Sequence, residues 1–278
     1  MTATTATTTG TGTGLDLTGR RYLVTGVTNR ESIAWHVAAA LQRSGAEILL
    51  SSFGRAARIT RKAAKQLPVE PGLLELDVTD EAAFAALADE LTHRWGELDG
   101  VLHSVAYAPA DAVGGDFLAT PAASAMTGFQ VSAYSLQRLA AALAPLLAKG
   151  ARGGSIVGLT VDSSRALPGY DWMGVSKAAL EAVARYLALN LGPDGVRVNL
   201  VAAGPLETLS AKGVGTFDAL ADHYERWAPL GWDRTDPERV VGAVLFLLSD
   251  LAASTTGQVL HADGGLHAVA AGIGQPPR

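Results

Sequence analysis

The chain has 278 residues, 48% of them hydrophobic and 18% charged, which suits one large α/β domain or two small ones with a sizeable core. Its net charge of −5 argues against a nucleic-acid partner, because proteins that bind a phosphate backbone cluster lysine and arginine. There is no apolar run of roughly 18 residues or more, which argues against a membrane span, and the lack of cysteine excludes disulfides and thiolate metal sites.

The opening MTATTATTTGTGTG has neither the basic nor the apolar stretch of a secretion signal, and its Thr/Gly/Ala bias cannot build a core face; residues 1–14 read as a disordered arm. From Leu15 apolar runs alternate with helical periods. RYLVTG (21–26) reads as a buried strand, and ESIAWHVAAALQRSG (31–45) as a helix ending at Gly45. AEILLSS (46–52) is a second strand, followed by a basic helix over 55–67. LLELDV (73–78), a helix over 80–96 and LDGVLHSVA (98–106) come next, then a long helical stretch from 121 to 147. The second half repeats the logic: GGSIVGLT (153–160), a helix over 171–192, GVRVNLVAAG (195–204), a less regular segment 206–228, a helix over 237–250 and GQVLHADGG (257–265). Near-continuous apolar strands separated by helices predict an α/β fold: a single Rossmann-type domain over 15–269, its seven-stranded parallel sheet covered by helices on both faces. Residues 270–278 read as a flexible tail. The expected setting is cytoplasmic.

In a doubly wound sheet a ligand binds beyond the carboxyl ends of the strands, where the strand order reverses. The first strand-to-helix turn, TGVTNRESIA, carries a single glycine, Gly26, rather than a G-x-G-x-x-G fingerprint. Gly26 can still allow a sharp turn and Ser32 can cap the next helix, whose amides would face a pyrophosphate. Many α/β proteins share such a turn. Phe53 ends the second strand with an apolar surface and no acid to hold a ribose 2′-hydroxyl; it is either an adenosine contact or core. Asp77 and Val78 end the third, where Asp77 is either an adenine acceptor or an ordinary turn carboxylate. The six histidines show no metal-ligand spacing, no metal is expected, and GLTVDSS is not a nucleophile elbow.

GYDWMGVSK (169–177) holds one tyrosine and one lysine seven positions apart, whereas an ordinary short-chain dehydrogenase has its tyrosine where Met173 stands. The surrounding motifs, SSFGR, LELDV, HSVAYAP (103–109), SAYS (132–135), SRALPGYDWMGVSK (164–177), NLVAAGPLETL (199–209), APLGWD and TTGQVLHADGG, follow in an order and spacing that resembles the NADH-dependent enoyl-acyl-carrier-protein reductases. These are a divergent branch of the short-chain dehydrogenase/reductase superfamily, and the likeness, strongest to the actinobacterial members, runs from about Leu15 to Val269.

The resemblance implies a homotetramer that binds NADH and reduces trans-2-enoyl thioesters of an acyl carrier protein or coenzyme A in fatty acid or related acyl-chain biosynthesis. Tyr170 would steady the enolate and Lys177 would hold the nicotinamide ribose. A seven-residue step is nearly two helical turns, so both could face one site; Tyr170, if just before the helix, would swing its ring further over the nicotinamide. The ammonium would lower the tyrosine pKa. The final proton would come from Tyr170 or from water. Ser32 and Ile33 would meet the pyrophosphate, with Gly26 in the turn. Phe53, Asp77 and Val78 would hold the adenosine, and Ser104 and Ala106 would flank the ribose. Leu206 would offer its backbone to the carboxamide and Thr208 its hydroxyl to phosphate. Tyr107, Tyr170, Met173, Leu206 and the 206–228 segment would line the acyl site, and Lys212 or Arg226 would meet an acidic carrier. Arg55 and Arg58 leave NADPH open.

The chain departs from the family's pattern at Glu207, where arginine is usual, and at Thr160 and Val161, where bulkier or more polar residues stand. These departures suggest a specialised paralogue, and they keep two alternatives in view: a carbonyl or imine reductase of secondary metabolism, and a non-catalytic dinucleotide-binding module.

Overall fold

The computed structural model describes residues 14–150, 152–273 and 276; residues 1–13 of the expected N-terminal arm and residues 274, 275, 277 and 278 of the expected tail lie outside them. Among the described residues seven strands form one sheet: β1 (Arg21–Val24), β2 (Glu47–Ser52), β3 (Gly72–Glu75), β4 (Gly100–His103), β5 (Ser155–Thr160), β6 (Arg197–Ala203) and β7 (Val259–Ala262). Their spatial order is β3-β2-β1-β4-β5-β6-β7, and every neighbouring pair is parallel. The order reverses between β1 and β4, which places the topological switch point there.

Side chains alternate along each strand between two buried clusters. Tyr22, Val24, Ile48, Leu50, Leu102, Val157 and Val201 pack on the side of α1 (Ile33–Arg43) and α8 (Glu238–Leu248). Leu23, Leu49, Val101, Ile156, Val198 and Leu200 pack on the other side, against α3 (Glu81–Arg94), α5 (Ser135–Leu147) and α6 (Asp171–Leu191). Because both faces are covered, the strands are apolar throughout, which is why their pattern reads so clearly. α1 turns a run of alanines, Ala38 to Ala40, inward, and such small side chains let a helix lie close to its neighbours. α2 (Ala56–Ala64) flanks β2, and α7 (Phe217–Trp227) lies within the irregular segment after β6. Among the described residues no helix is long and apolar enough to cross a membrane.

Three features of these elements bear on the site. β1 and β4 stop earlier than their apolar runs, because Thr25 knits their ends: its Oγ1 donates to the Leu102 carbonyl (3.0 Å) and accepts from the Ser104 amide (3.0 Å). The stretch 121–147 is α4 (Ala122–Phe129) continued through a π-helical turn (Gln130–Tyr134) into α5, and such turns often mark functional positions. α6 begins at Asp171 as expected; this residue has φ +43°, and Tyr170 is the cap before the helix.

Candidate active site

Beyond β1 the chain bends at Gly26, with φ +79°. A Cβ there would lie 1.8 Å from the Ser104 carbonyl oxygen, so only glycine lets the first turn pass this close to the end of β4. The turn then closes on Asn29, whose Oδ1 accepts from the Glu31 amide (3.1 Å). Ser32 occupies the cap position of α1 but does not cap it with its side chain; its hydroxyl donates to the Asn29 carbonyl instead (2.7 Å). The expected capping bond is therefore absent, because the preceding turn claims the hydroxyl. With no side chain on its first amides and no acid in its first turn, α1 presents an N-terminus receptive to an anion, which is what a dinucleotide pyrophosphate requires. Ile33 is the first helical residue there.

The adenosine end is arranged more plainly. Phe53 is half exposed after β2, not core, and Val78 is buried. Asp77 serves a turn: its Oδ1 accepts from the amide (2.9 Å) and hydroxyl (2.7 Å) of Thr79. The helix that follows is capped by Asp80, which accepts from the Ala82 amide (2.9 Å). Arg55 and Arg58 are exposed at the start of α2.

Lys177 is 6% exposed and its Nζ donates to the Leu159 carbonyl at the end of β5 (2.9 Å). An ammonium has three hydrogens, and among the described residues this is its single bond, so two donors remain for a ligand such as a ribose diol. Burial lowers its pKa from 10.5 to about 8.

Tyr170 is partly buried, and among the described residues nothing hydrogen-bonds its hydroxyl. Burial raises its pKa above the ordinary 10, which corrects the expectation of a depressed value. The ammonium of Lys177 is directed at a carbonyl at the end of β5, and burial of the phenol sets the direction of its shift. Tyr170 stands just before the helix that carries Lys177, with Asp171 at φ +43° between it and the regular spiral. What positions Tyr170 is a junction of loops. Asp171 Oδ2 accepts from the amides of Gly114 (2.9 Å) and Gly115 (3.2 Å). The Thr216 hydroxyl donates to the Pro168 carbonyl (2.9 Å), and Gly169, at φ +74°, has no room for a Cβ against Thr216 (2.7 Å). The segment 206–228 thus rests, through Thr216, directly on the residue before Tyr170.

The remaining predicted residues divide. Met173 is buried yet belongs to neither core cluster. Tyr107 is exposed, its backbone held at both amide and carbonyl by Ser132 of the π-turn (3.0 and 3.1 Å). Ala106 is exposed after β4, as a backbone contact requires. Leu206 is buried in the same core cluster as Tyr224 and Trp232. The Thr208 hydroxyl accepts from the Ala211 amide (3.2 Å), which leaves its own hydrogen to donate to a phosphate. Glu207 is exposed, and its carboxylate forms no ion pair among the described residues. Thr160 is buried, whereas Val161 is partly open. Lys212 lies 4.0 Å from Glu31, and Arg226 sits over the Trp227 ring (5.8 Å).

Sequence reasoning missed Thr25, Ser132 and Asp171, whose roles arise from contacts across the fold. Only the T-G pair at 25–26 left a signal, because a hydroxyl beside a turn glycine is well placed to bridge strand ends.

Comparison with known proteins adds a family. The profile described as enoyl-(acyl carrier protein) reductase matches residues 26–267. The chain is 42% identical over 263 residues to the enoyl-(acyl-carrier-protein) reductase (NADH) of Mycolicibacterium smegmatis, covering 90% of this chain and 96% of that one. It is 40% identical over 262 residues to the protein of that name from Mycobacterium avium, again covering 90% and 96%. A Synechocystis enoyl-(acyl-carrier-protein) reductase (NADH) is 39% identical over 256 residues, covering 90% and 97%.

Proposed function

The chain belongs to the enoyl-(acyl carrier protein) reductase family, and from that premise we propose that it reduces a trans-2-enoyl thioester at its β-carbon with NADH, Tyr170 and Lys177 serving as the site's donor and anchor. One observation carries the residue assignment: a single helix presents a buried ammonium with two unused hydrogens and, at its cap, a phenol with no partner.

NADH, when bound, supplies the hydride. Gly26, Ser32 and Ile33 would hold its pyrophosphate, with Thr208 beside them. Phe53, Asp77 and Val78 would hold the adenosine, the backbone of Ser104 and Ala106 the ribose, and the backbone of Leu206 the carboxamide. As the β-carbon gains hydride, negative charge collects on the thioester oxygen, and the site needs a donor there rather than a base. A phenol whose ionisation burial disfavours is such a donor. Lys177 hydrogen-bonds the nicotinamide ribose and adds positive potential nearby. Tyr107 and Met173 border the acyl group. Thr160 and the partly open Val161 leave room for an acyl group of unusual shape.

The thioester is carried by an acyl carrier protein or by coenzyme A in fatty acid or related acyl-chain synthesis, and the setting is cytoplasmic. A homotetramer accounts for the strongly exposed Tyr186 and Leu189 on the outer face of α6 and for β7, an edge strand that needs cover. Light scattering after gel filtration tests the tetramer. The activity is tested by following NADH oxidation with crotonyl and longer enoyl thioesters beside a ketoacyl thioester. Turnover of the ketoacyl substrate alone would overturn it in favour of a carbonyl reductase, and equal efficiency across medium chains would remove the case for a specialised paralogue.

A further inference from the structure

We infer that His103 is a positioning residue for Lys177, its Nδ1 holding the ammonium through one internal water. The inference rests on the reading of Lys177 as the ribose anchor.

His103 ends β4, is 1% exposed, and pairs in register with Gly158 of β5. It stands on the sheet face of Val101 and Ile156, the face covered by α5 and α6. Its Nε2 lies 2.8 Å from Ser135 Oγ, and Ser135 Oγ lies 2.7 Å from the Val131 carbonyl oxygen in the π-turn. A hydroxyl has one hydrogen, and a carbonyl only accepts. Ser135 therefore donates to Val131, and His103 donates its Nε2 hydrogen to Ser135. That fixes the tautomer and leaves Nδ1 as a bare acceptor. Nδ1 is fully buried and, among the described residues, has no partner. A buried acceptor is costly to leave unmade, so a donor belongs there.

The donor-rich neighbour is Lys177. Its Nζ sits on Leu159 O, one residue past the register partner of His103, with two hydrogens unused. No direct bond joins the two groups, and a single water that donates to Nδ1 and accepts from Nζ satisfies both. The imidazole is suited to this task because it stays neutral: burial, with the charge of Lys177 second, lowers its pKa from 6.5 to about 3. Other charged groups on the elements packed around the pair are engaged elsewhere. Glu181 accepts from Ser163 (2.5 Å), Arg138 pairs with Glu81, and Asp162 accepts from Ser164 (2.6 Å) and pairs with Arg165. Tyr170 caps the same helix and stays neutral.

Two substitutions separate this role from packing. Asparagine at 103 puts a carbonyl oxygen near the Nδ1 position but cannot reach Ser135; glutamine reaches Ser135 and leaves the Nδ1 position bare. The experiment measures kcat/KM against pH with crotonyl thioester, and the NADH dissociation constant, for the full chain and both variants. His103→Gln is expected to shift the alkaline limb down by about one pH unit and to weaken NADH about tenfold, whereas His103→Asn restores the unmodified profile. The reverse ranking, or two unmoved profiles, overturns the inference. If neither variant folds, a high-resolution crystal structure of the unmodified protein decides: a water bonded to both atoms supports it, and its absence overturns it. Lys177→Ala run alongside keeps the two readings apart. Lost NADH affinity there with unmoved His103 variants sinks only this inference, while retained affinity sinks the assignment of Lys177.

Discussion

Asp171 reaches back to Gly114, accepting its amide hydrogen at 2.9 Å and that of Gly115 at 3.2 Å, from a backbone held at φ +43°. Left-handed backbone is unfavourable for a residue with a Cβ, and aspartate and asparagine tolerate it best. The strain sits immediately after Tyr170, so the bond that holds it also fixes where the phenol stands. Asp171→Ala is expected to lose about 1–3 kcal/mol of stability and to lower kcat about tenfold, because both amides lose their acceptor and the backbone relaxes. Asp171→Asn, which keeps an acceptor and tolerates the conformation, should stay within about threefold. Thermal melts and steady-state rates check both.

Tyr170→Phe removes the donor and keeps the ring. Turnover should fall about 10²–10³-fold, the cost typical of one lost oxyanion donor, while NADH affinity stays within about twofold. Lys177→Ala should instead weaken NADH. Stopped-flow turnover paired with fluorescence titration separates them, and full activity in both variants would remove the proposed chemistry.

Much of this was legible because each strand is buried on both faces and each helix keeps one apolar stripe; hence the order of elements, the parallel sheet and the switch point follow from residues such as Leu23, Leu50 and Val157. Tyr170 and Lys177 are singled out by motif spacing, and their roles stand as proposals. Tertiary claims on polar groups were not legible. Ser32 looks like a cap but its hydroxyl is taken by Asn29, and Leu206 follows a glycine-proline loop yet packs with Trp232, whose Nε1 donates to the Pro205 carbonyl (2.8 Å). No local pattern encodes the positive φ of Asp171, since the glycines it binds lie 56 and 57 residues away. The phenol's pKa reverses for the same reason: its burial is set by chain segments distant in sequence.

The depressed pKa of Lys177 gives two pH signatures with a definite sign. In the folded protein it loses its proton near pH 8, in the unfolded chain near 10.5. Below about pH 8 both states are charged, and the folded state bears the cost of an ammonium out of water. Between about 8 and 10.5 the unfolded chain binds more protons, so this group's contribution to stability rises with pH. Lys177→Met should therefore be more stable than the parent by ~2 kcal/mol at pH 7, with the gap closing as pH approaches 10 in urea titrations. Activity runs the other way. The ammonium is needed in the free enzyme, so kcat/KM should fall tenfold per pH unit above about 8.

The second strand sets cofactor choice. NADH is the expected dinucleotide, with the half-exposed Phe53 at the adenosine end. Yet Arg55 and Arg58 are both exposed there, and either can meet a 2′-phosphate. Titration should show NADH binding at least about tenfold tighter than NADPH, and Arg55→Ala with Arg58→Ala should weaken NADPH while leaving NADH within about twofold. Equal affinities in the parent would mean that the phenylalanine does not discriminate.

Gly26 tests the nucleotide end with the least ambiguity. A methyl group at this position would stand 1.8 Å from Ser104 O and 2.6 Å from its carbonyl carbon, contacts with backbone that no rotamer change relieves. Its φ of +79° adds strain for any residue with a side chain. Since Ser104 is tied to Thr25 by a 3.0 Å bond, the end of β4 cannot retreat without breaking the stitch between the central strands. Gly26→Ala should therefore cost about 2–4 kcal/mol and abolish measurable NADH binding even where it folds. Thr25→Val, which keeps the shape and removes the hydroxyl bridge, should cost about 1–2 kcal/mol and weaken NADH by less than Gly26→Ala does. A Gly26→Ala protein that melts at the parent temperature and binds NADH normally would show that the turn does not approach β4 as described.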